Sequence, residues 1–505
     1  VFIKSATAKI FLAIVFLSIA TVFAADTNLF LSETGEDTLR ITLKDAIFMA
    51  LERNPSFLIQ RLEPKIAGTN VSEQLSTYDP KLNIVGNKSK NKTQRFLGSR
   101  PDPFELTTDR YQYDVTLSQA LPTGTIVSAN ANVAGTLSSI YQDQFSGGYE
   151  LTVTQSLLRG FGFGANLANI RHAKRDLEIS TAELKSFAEN LVADVENAYW
   201  TLLLTAQEIN IRRRSLELAQ RQLKESEERL AVGKLPVLEL AAVHAEVATR
   251  QEALIDVQSR YEQARLQFLF LLNPEEQVSW STIPILLDQP FIPKDSLDNI
   301  ATHEAVALKY RSDLKQAQLM MKMGEIEISR TRNGLLPQLD FFITLSRTSY
   351  AKSFKEGLPD LKSPFYDIIM GVNFEFPVLN QRARAQSRRA LYSHEQLELA
   401  MKNMERLIQR DVRSAYIEVI RSKQQTVATR VTRELQDKKL EAEQEKFRVG
   451  KSTNFLVLQA QRDFISSQLD EAQAMVAYLN ALINLYVMEG TLLERRGINA
   501  TEVSN

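Results

Sequence analysis

Residues 166–232 contain neither glycine nor proline, and Gly233 closes the run. Leu, Ala, Glu, Gln, Lys and Arg dominate it, the residues that lose least on entering a helix. At about 1.5 Å per residue this is one helix of roughly 100 Å, far longer than a globular core requires. Val195, Leu202, Ile209, Leu216, Leu223 and Leu230 recur every seven residues, and Ile170, Leu177, Leu184 and Leu191 form an earlier seam offset by four. Sustained heptads predict coiled-coil-like packing against other helices. A near twin, also free of glycine and proline, occupies 380–449 and ends at Gly450. Any fold for this chain is built around these two rods.

The rods belong to an internal repeat. Ala50-Leu51-Glu52 aligns with Ala307-Leu308-Lys309, and the same offset brings Pro80-Lys81-Leu82 onto Pro337-Gln338-Leu339. At a shorter offset Asp194-Val195 falls on Asp411-Val412, Ala198-Tyr199 on Ala415-Tyr416, Val232-Gly233-Lys234 on Val449-Gly450-Lys451, and Tyr261 on Tyr478. Each copy reads as helix, strands, long helix, turn and helix. The boundaries are 26–272 for the first repeat, 273–296 for a proline-rich linker, 297–490 for the second repeat and 491–505 for a C-terminal tail.

Residues 1–25 read as a signal peptide. Lys4 and Lys9 give a positive start, residues 10–22 are apolar, and Val22-Phe23-Ala24 offers small residues for cleavage, so the mature chain is expected to begin near Ala25. The apolar run is too short for a membrane anchor. With no cysteine in the chain, lipidation of an N-terminal Cys, a disulfide scaffold and a thiolate metal site are all excluded. Basic and acidic residues balance to a net charge of −1 and are interspersed, so no basic field points to nucleic acid. Beyond the signal no apolar run reaches 18 residues, which leaves a closed β-barrel as the only way into a membrane.

Strand periodicity supports that route. Tyr111, Tyr113, Val115 and Leu117 alternate with Gln112, Asp114, Thr116 and Ser118, while Tyr366, Ile368, Met370, Val372, Phe374 and Phe376 share one side. Alternating segments of about ten residues with aromatics near their ends suit an outer-membrane barrel. The first copy is longer than the second around YQYDVTLSQALPTGTIVSANANVA, which reads as an extra hairpin turning at Leu121-Pro122-Thr123-Gly124. Four strands are expected from the first copy and two from the second. The polar stretches 87–109 and 137–148 are expected as loops.

Asn54-Pro55 reads as a helix cap followed by proline at the first helical position, and Pro64 as a kink. A shorter helix follows each Val-Gly-Lys turn, at about 236–272 and 453–489. Added end to end to the short helix before the strands, it matches one rod in length. The linker is expected as a small mixed patch outside the rods.

In these features the chain resembles the TolC-like outer membrane efflux proteins over essentially its whole mature length. The carriers are the tandem repeat, the ALERNPSF opening, QSLLRGFG, ENAYW, and the turns RLAVGKLPVLEL and KFRVGKSTNFLVL. The resemblance implies a fold that is mainly α with a membrane β-barrel: tandem-repeat long α-helical hairpins forming a trimeric periplasmic α-barrel joined to an outer-membrane β-barrel. It implies a homotrimer in outer-membrane lipid, acting as a passive export duct with a periplasmic adaptor and an inner-membrane transporter, and needing no cofactor. The adaptor would dock at the tips, Val232, Gly233, Lys234 and Leu235 in the first copy and Val449, Gly450, Lys451 and Ser452 in the second. Some members line the periplasmic entrance with aspartates. Aligned from Gly450, those positions fall on Leu456 and Gln459, which leaves Glu239 of the first copy as the acidic residue nearby.

No constellation supports catalysis. Gly160-Phe161-Gly162-Phe163-Gly164 lacks the spacing of a dinucleotide loop and reads as a flexible strand-to-helix connection. His172, His244, His303 and His394 stand singly and read as surface residues rather than metal ligands. Scattered Glu and Lys on the rods read as solvated faces and inter-helix pairs. The competing interpretation is a periplasmic coiled-coil rod or adaptor without a barrel, which would have no use for two matching sets of alternating strands.

Overall fold

The computed structural model describes residues 38–96, 102–232, 237–273, 280–292, 297–351, 353 and 364–498. The expected signal peptide lies outside them. Strand β1 (Thr38–Ile41) leads into helix α1 (Leu43–Arg53), capped by Thr42, whose hydroxyl accepts the Asp45 N–H at 3.2 Å. Asn54 then caps α2 (Pro55–Leu75) by accepting the Phe57 N–H at 3.2 Å, with Pro55 at the first position. Helix α2 continues through Pro64.

Strands β2 (Lys81–Arg95), β3 (Phe104–Ala120), β4 (Thr125–Ser138) and β5 (Gln144–Ser156) follow. The short helix α3 (Gly162–Asn166) precedes the first rod, α4 (Ala168–Ala231), and α5 (Val237–Leu272) returns along it. After β6 (Ile283–Leu286), the second copy runs α6 (Ile300–Tyr310), α7 (Ser312–Gly334), β7 (Gln338–Ala351) and β8 (Tyr366–Glu375). The second rod α8 (Gln381–Arg448), α9 (Asn454–Glu489) and a turn of helix, α10 (Leu492–Arg495), complete it.

Each rod is paired with two shorter helices placed end to end, α2 and α5 along α4, α7 and α9 along α8. The joints are polar. Asn54 Nδ2 donates to the Leu271 carbonyl at 2.9 Å, and Asn273 Nδ2 to the Arg53 carbonyl at 3.0 Å. In the second copy Gly490, at φ +69°, abuts the Arg311 backbone so closely that a Cβ would lie 3.0 Å from it. Two apolar cores sit at this level. One gathers Leu184, Leu191, Val195, Tyr199 and Leu202 of α4 with Phe57 and Phe268, the other Ile408, Val412 and Val419 of α8 with Leu314 and Leu485. The linker contributes β6, which pairs in parallel with β1. Its Asp288 accepts the Leu43 N–H and the Tyr199 hydroxyl, at 2.6 and 3.1 Å.

Towards the tips the heptad expectation needs correction. Ile209, Leu216, Leu223 and Leu230 are only half-buried, and the buried line is Thr205, Glu208, Ser215, Ala219 and Ser226. Small residues let α5 and α9 approach α4 closely, and the larger leucines flank the buried line, half-buried.

The six long strands form one antiparallel sheet in the order β2-β3-β4-β5-β7-β8, four from the first copy and two from the second. The loop expectation was too wide: 87–95, 104–109, 137–138 and 144–148 are strand. Their polarity reflects water around a protruding ladder. Lys92 pairs with Glu105 at 2.6 Å and the Lys88 ammonium lies 5.1 Å above the Tyr111 ring. The glycine-rich connection is also folded, not loose. Asn166 Nδ2 donates to the carbonyls of Gly160, Gly162 and Pro122 at 2.7, 3.0 and 3.3 Å, fastening the extra hairpin's turn to the root of the rod.

Candidate functional site: barrel wall, tips and clasp

The sheet has two faces of opposite character, and register makes each continuous. Leu82, Leu117, Ala129, Leu151, Leu345 and Ile368 are paired in one unbroken row across all six strands. The adjacent row, on the other face, is Asn83, Thr116, Asn130, Glu150, Ser346 and Asp367. The leucines of the first row and Ile368 are 41–64% exposed, unusual for large aliphatic side chains in water. Tyr113, Tyr149 and Tyr366 stand towards the loop end of the apolar face, Phe341 and Phe374 towards the helix end. An apolar band between two aromatic fringes is the signature of a lipid-facing barrel wall.

At the opposite end, the described tip is the α8–α9 turn. Gly450 adopts φ +75°, the Lys451 N–H donates to the Lys446 carbonyl at 2.8 Å and the Gly450 N–H to the Phe447 carbonyl at 3.1 Å. This left-handed cap satisfies carbonyls that the helix end orphans. Ser452 donates to Glu443 at 2.8 Å, and Thr453 caps α9 by accepting the Leu456 N–H at 3.4 Å. Val232, Val449, Phe455 and Leu456 are exposed, with Gln459 and Lys451 beside them. Gly233, Lys234 and Leu235 lie outside the described residues, as does the Glu239 side chain.

Between tip and barrel the expected inter-helix pairs include polar groups that are buried. Arg250, 6% exposed, donates to the Ser215 carbonyl of α4 at 2.8 Å and to Gln461 of α9 at 3.1 Å. Glu208 of α4, 3% exposed, accepts from Arg260 of α5 and Gln473 of α9, both at 2.9 Å. Each layer ties three helices from both copies. A single polar residue at a seam position carries no periodic apolar signal, so only the tertiary structure reveals these layers.

The last described residues form a clasp. Leu492 and Leu493 are fully buried, and Arg496 makes two 2.6 Å bonds to Glu196, itself fully buried on α4. Burial pushes the Glu196 carboxyl up and Arg496 pulls it back. His303 corrects the surface reading: it is 4% exposed and hydrogen-bonded through Nδ1 to buried Glu489, which also accepts from Thr491 and Arg495. Nearby, burial pushes Glu189 up to about 7, against the pull of Lys185 at 3.7 Å. Between its ordinary value of 4.5 and about 7 the folded chain keeps a proton that the unfolded chain has released, so stability falls as pH rises through that window. Glu189→Gln is therefore expected to stabilise the protein at pH 8 by about 2–3 kcal/mol and to leave it unchanged at pH 4, read from denaturation temperatures at the two pH values. Equal effects at both would contradict the assignment.

Paired helical hairpins as long as a periplasmic duct, rooted in an amphipathic antiparallel sheet, define the class of outer-membrane channels. A family model described as outer membrane efflux protein matches residues 46–273 and 305–491, and the chain belongs to that family. Its place is the outer membrane. The pyoverdine export outer membrane protein OpmQ of Pseudomonas aeruginosa is 24% identical over 335 residues, 64% of this chain and 66% of that protein. OpmQ of Pseudomonas putida is 24% identical over 323 residues, 62% of this chain. The match thus spans 66% and 64% of these relatives' own lengths. The crystal structure of the Campylobacter jejuni CmeC outer membrane channel superposes with a TM-score of 0.68 at 14% identity, covering 91% of this chain and 88% of that one, a likeness of fold.

Proposed function

We propose that three copies of this chain close into a passive export duct through the outer membrane, with no catalytic role. The observation that carries this reading is the unbroken apolar row across six strands whose two edge strands, β2 and β8, have no partner among the described residues. Lipid does not tolerate an open sheet edge, so the edges must pair with further copies. The half-buried leucines of α4 and the exposed Ile420, Val427 and Val431 of α8 give the rods matching faces for the same neighbours.

Three copies bring eighteen strands. At about 4.8 Å spacing and ~40° tilt these make a wall of about 113 Å circumference. Twelve helical columns at about 10 Å spacing give about 120 Å. Twelve strands would reach only about 75 Å by the same arithmetic, so the extra hairpin brings the barrel to the width of the tunnel.

The exposed apolar tips suit docking of a periplasmic adaptor that couples the duct to an inner-membrane transporter. The names of the OpmQ relatives favour a small-molecule cargo over a protein. At the entrance, Leu456 closes the mouth by apolar contact, with Gln459 and Glu239 nearby. The test is single-channel conductance in a planar bilayer: Leu456→Ser is expected to raise conductance several-fold, because a narrow apolar constriction dewets. A variant no more conductive than the parent would remove Leu456 from the gate, and absence of any channel from the parent would remove the duct.

Gly450→Val probes the tip. A side chain in the left-handed region costs roughly 1–2 kcal/mol, too little to unfold the rods but enough to reshape the turn. Export in cells should drop several-fold while the trimer still reaches the outer membrane. Full export by this variant would sink the docking role.

A further inference from the structure

On the apolar face of the sheet, Ala129, Leu151, Leu345 and Ile368 form one row and Tyr149, Arg347 and Tyr366 stand in the next towards the loops. A shallow groove of about 450 Å³ runs between them. Its floor is aliphatic, and Ala129 keeps it open where a larger side chain would fill it. Among the described residues on this face of β4, β5, β7 and β8, Arg347 is the only charged one. It is exposed and lies between two tyrosines.

A cation on a lipid-facing wall is costly at mid-membrane and cheap at the interface, and tyrosines mark the interface. Arg347 therefore sits at headgroup level. The helices leave from the other end of the strands, so this is the outer leaflet. Lys88, stacked on Tyr111 of the same face, repeats the pairing of cation and tyrosine at the far side of the sheet. A guanidinium presents a planar fork that matches a phosphate.

We propose that this groove is a binding site for a phosphate-bearing glycolipid of the outer leaflet, with an acyl chain along the aliphatic floor and a headgroup phosphate on Arg347. The lipid caulks the wall where the smallest side chain of that row, Ala129, leaves it thin. This inference rests on the barrel reading above.

The test uses the full-length protein in detergent and native mass spectrometry. Its probes are a bisphosphorylated glucosamine-disaccharide lipid and the same lipid without phosphates. The phosphorylated lipid is expected to bind at least tenfold more tightly. Arg347→Gln should lose that preference, and Ala129→Phe, which fills the groove, should bind both lipids at least tenfold more weakly. Inorganic phosphate should not compete. Wild-type affinity in either variant, equal binding of the two lipids, or full competition by inorganic phosphate overturns the site. Conductance of Arg347→Gln in a phosphatidylcholine bilayer reports the barrel independently: channels that persist while lipid binding is lost are the expected result, and a parent that forms no channel faults the barrel instead.

Discussion

Gly124→Val should reduce at least tenfold the amount of protein recovered from the outer membrane as the proposed trimer, read as a heat-resistant species. Gly124 sits at φ +87° in the turn between β3 and β4, and a Cβ there would lie 2.2 Å from the Gly160 carbonyl oxygen. The left-handed backbone alone costs a β-branched residue about 1–2 kcal/mol or more. The clash is with backbone, so no rotamer relieves it. The turn also accepts the Ser156 N–H at the Gly124 carbonyl and the Gly162 N–H at the Thr123 carbonyl, both at 3.0 Å. Moving it disturbs the hairpin and the root of the first rod together. Gly164→Ala is the control: its Cβ would meet only the Ser329 hydroxyl at 4.0 Å, and alanine favours the short helix. Semi-quantitative immunoblots of unheated membrane fractions decide it, and normal trimer from Gly124→Val would show that the turn bears no strain.

Arg496→Leu is expected to lower the denaturation temperature of the assembled protein markedly, because it leaves Glu196 buried with no cation. Stranding a buried charge typically costs 3–5 kcal/mol. The lower end, about 3 kcal/mol, applies here because the Arg496 side chain remains 34% exposed and part of the pair is screened. Since burial already pushes the Glu196 carboxyl up, protonation offers an escape, and the loss should shrink as pH falls. Glu196→Gln combined with Arg496→Leu should recover part of the stability at neutral pH. Thermal scans of the single and double variants at pH 5 and pH 8 measure all of this, and a pH-independent loss would point to packing by the arginine stem instead.

Much of the architecture could be read from residue patterns because it is written in period and punctuation. Freedom from glycine and proline marks the rods, Gly450 ends the second, and Leu121-Pro122-Thr123-Gly124 turns the added hairpin where expected. Three things escaped for physical reasons. Polar strand ends such as Lys88 to Arg95 read as loops, since composition reports the solvent around a ladder and not whether its hydrogen bonds are made. The rod charges read as solvated faces and inter-helix pairs, but nothing local marks Arg250, Glu208 and Glu196 as the buried ones, because their partners stand on distant segments: Gln461, Gln473 and Arg496. His303 was missed likewise, its partner Glu489 being 186 residues away. The turn at Gly450 was legible in the sequence, whereas the groove beside Arg347 needed the register of four strands and had no local signature.

The two-faced register of the wall also limits how such a channel can change over evolutionary time. An insertion or deletion of one residue within a strand would turn every side chain beyond it to the opposite face, sending Glu150 or Asp367 into lipid and Leu151 or Ile368 into the lumen. Strands can lengthen only two residues at a time, about 7 Å of ladder per step. Width is quantised as well, since a strand cannot be added without its antiparallel return. A lineage adjusting this pore to a thicker membrane or a bulkier cargo must move in whole pleats and whole hairpins, and the loop between Ser138 and Gln144 is where gradual change remains open.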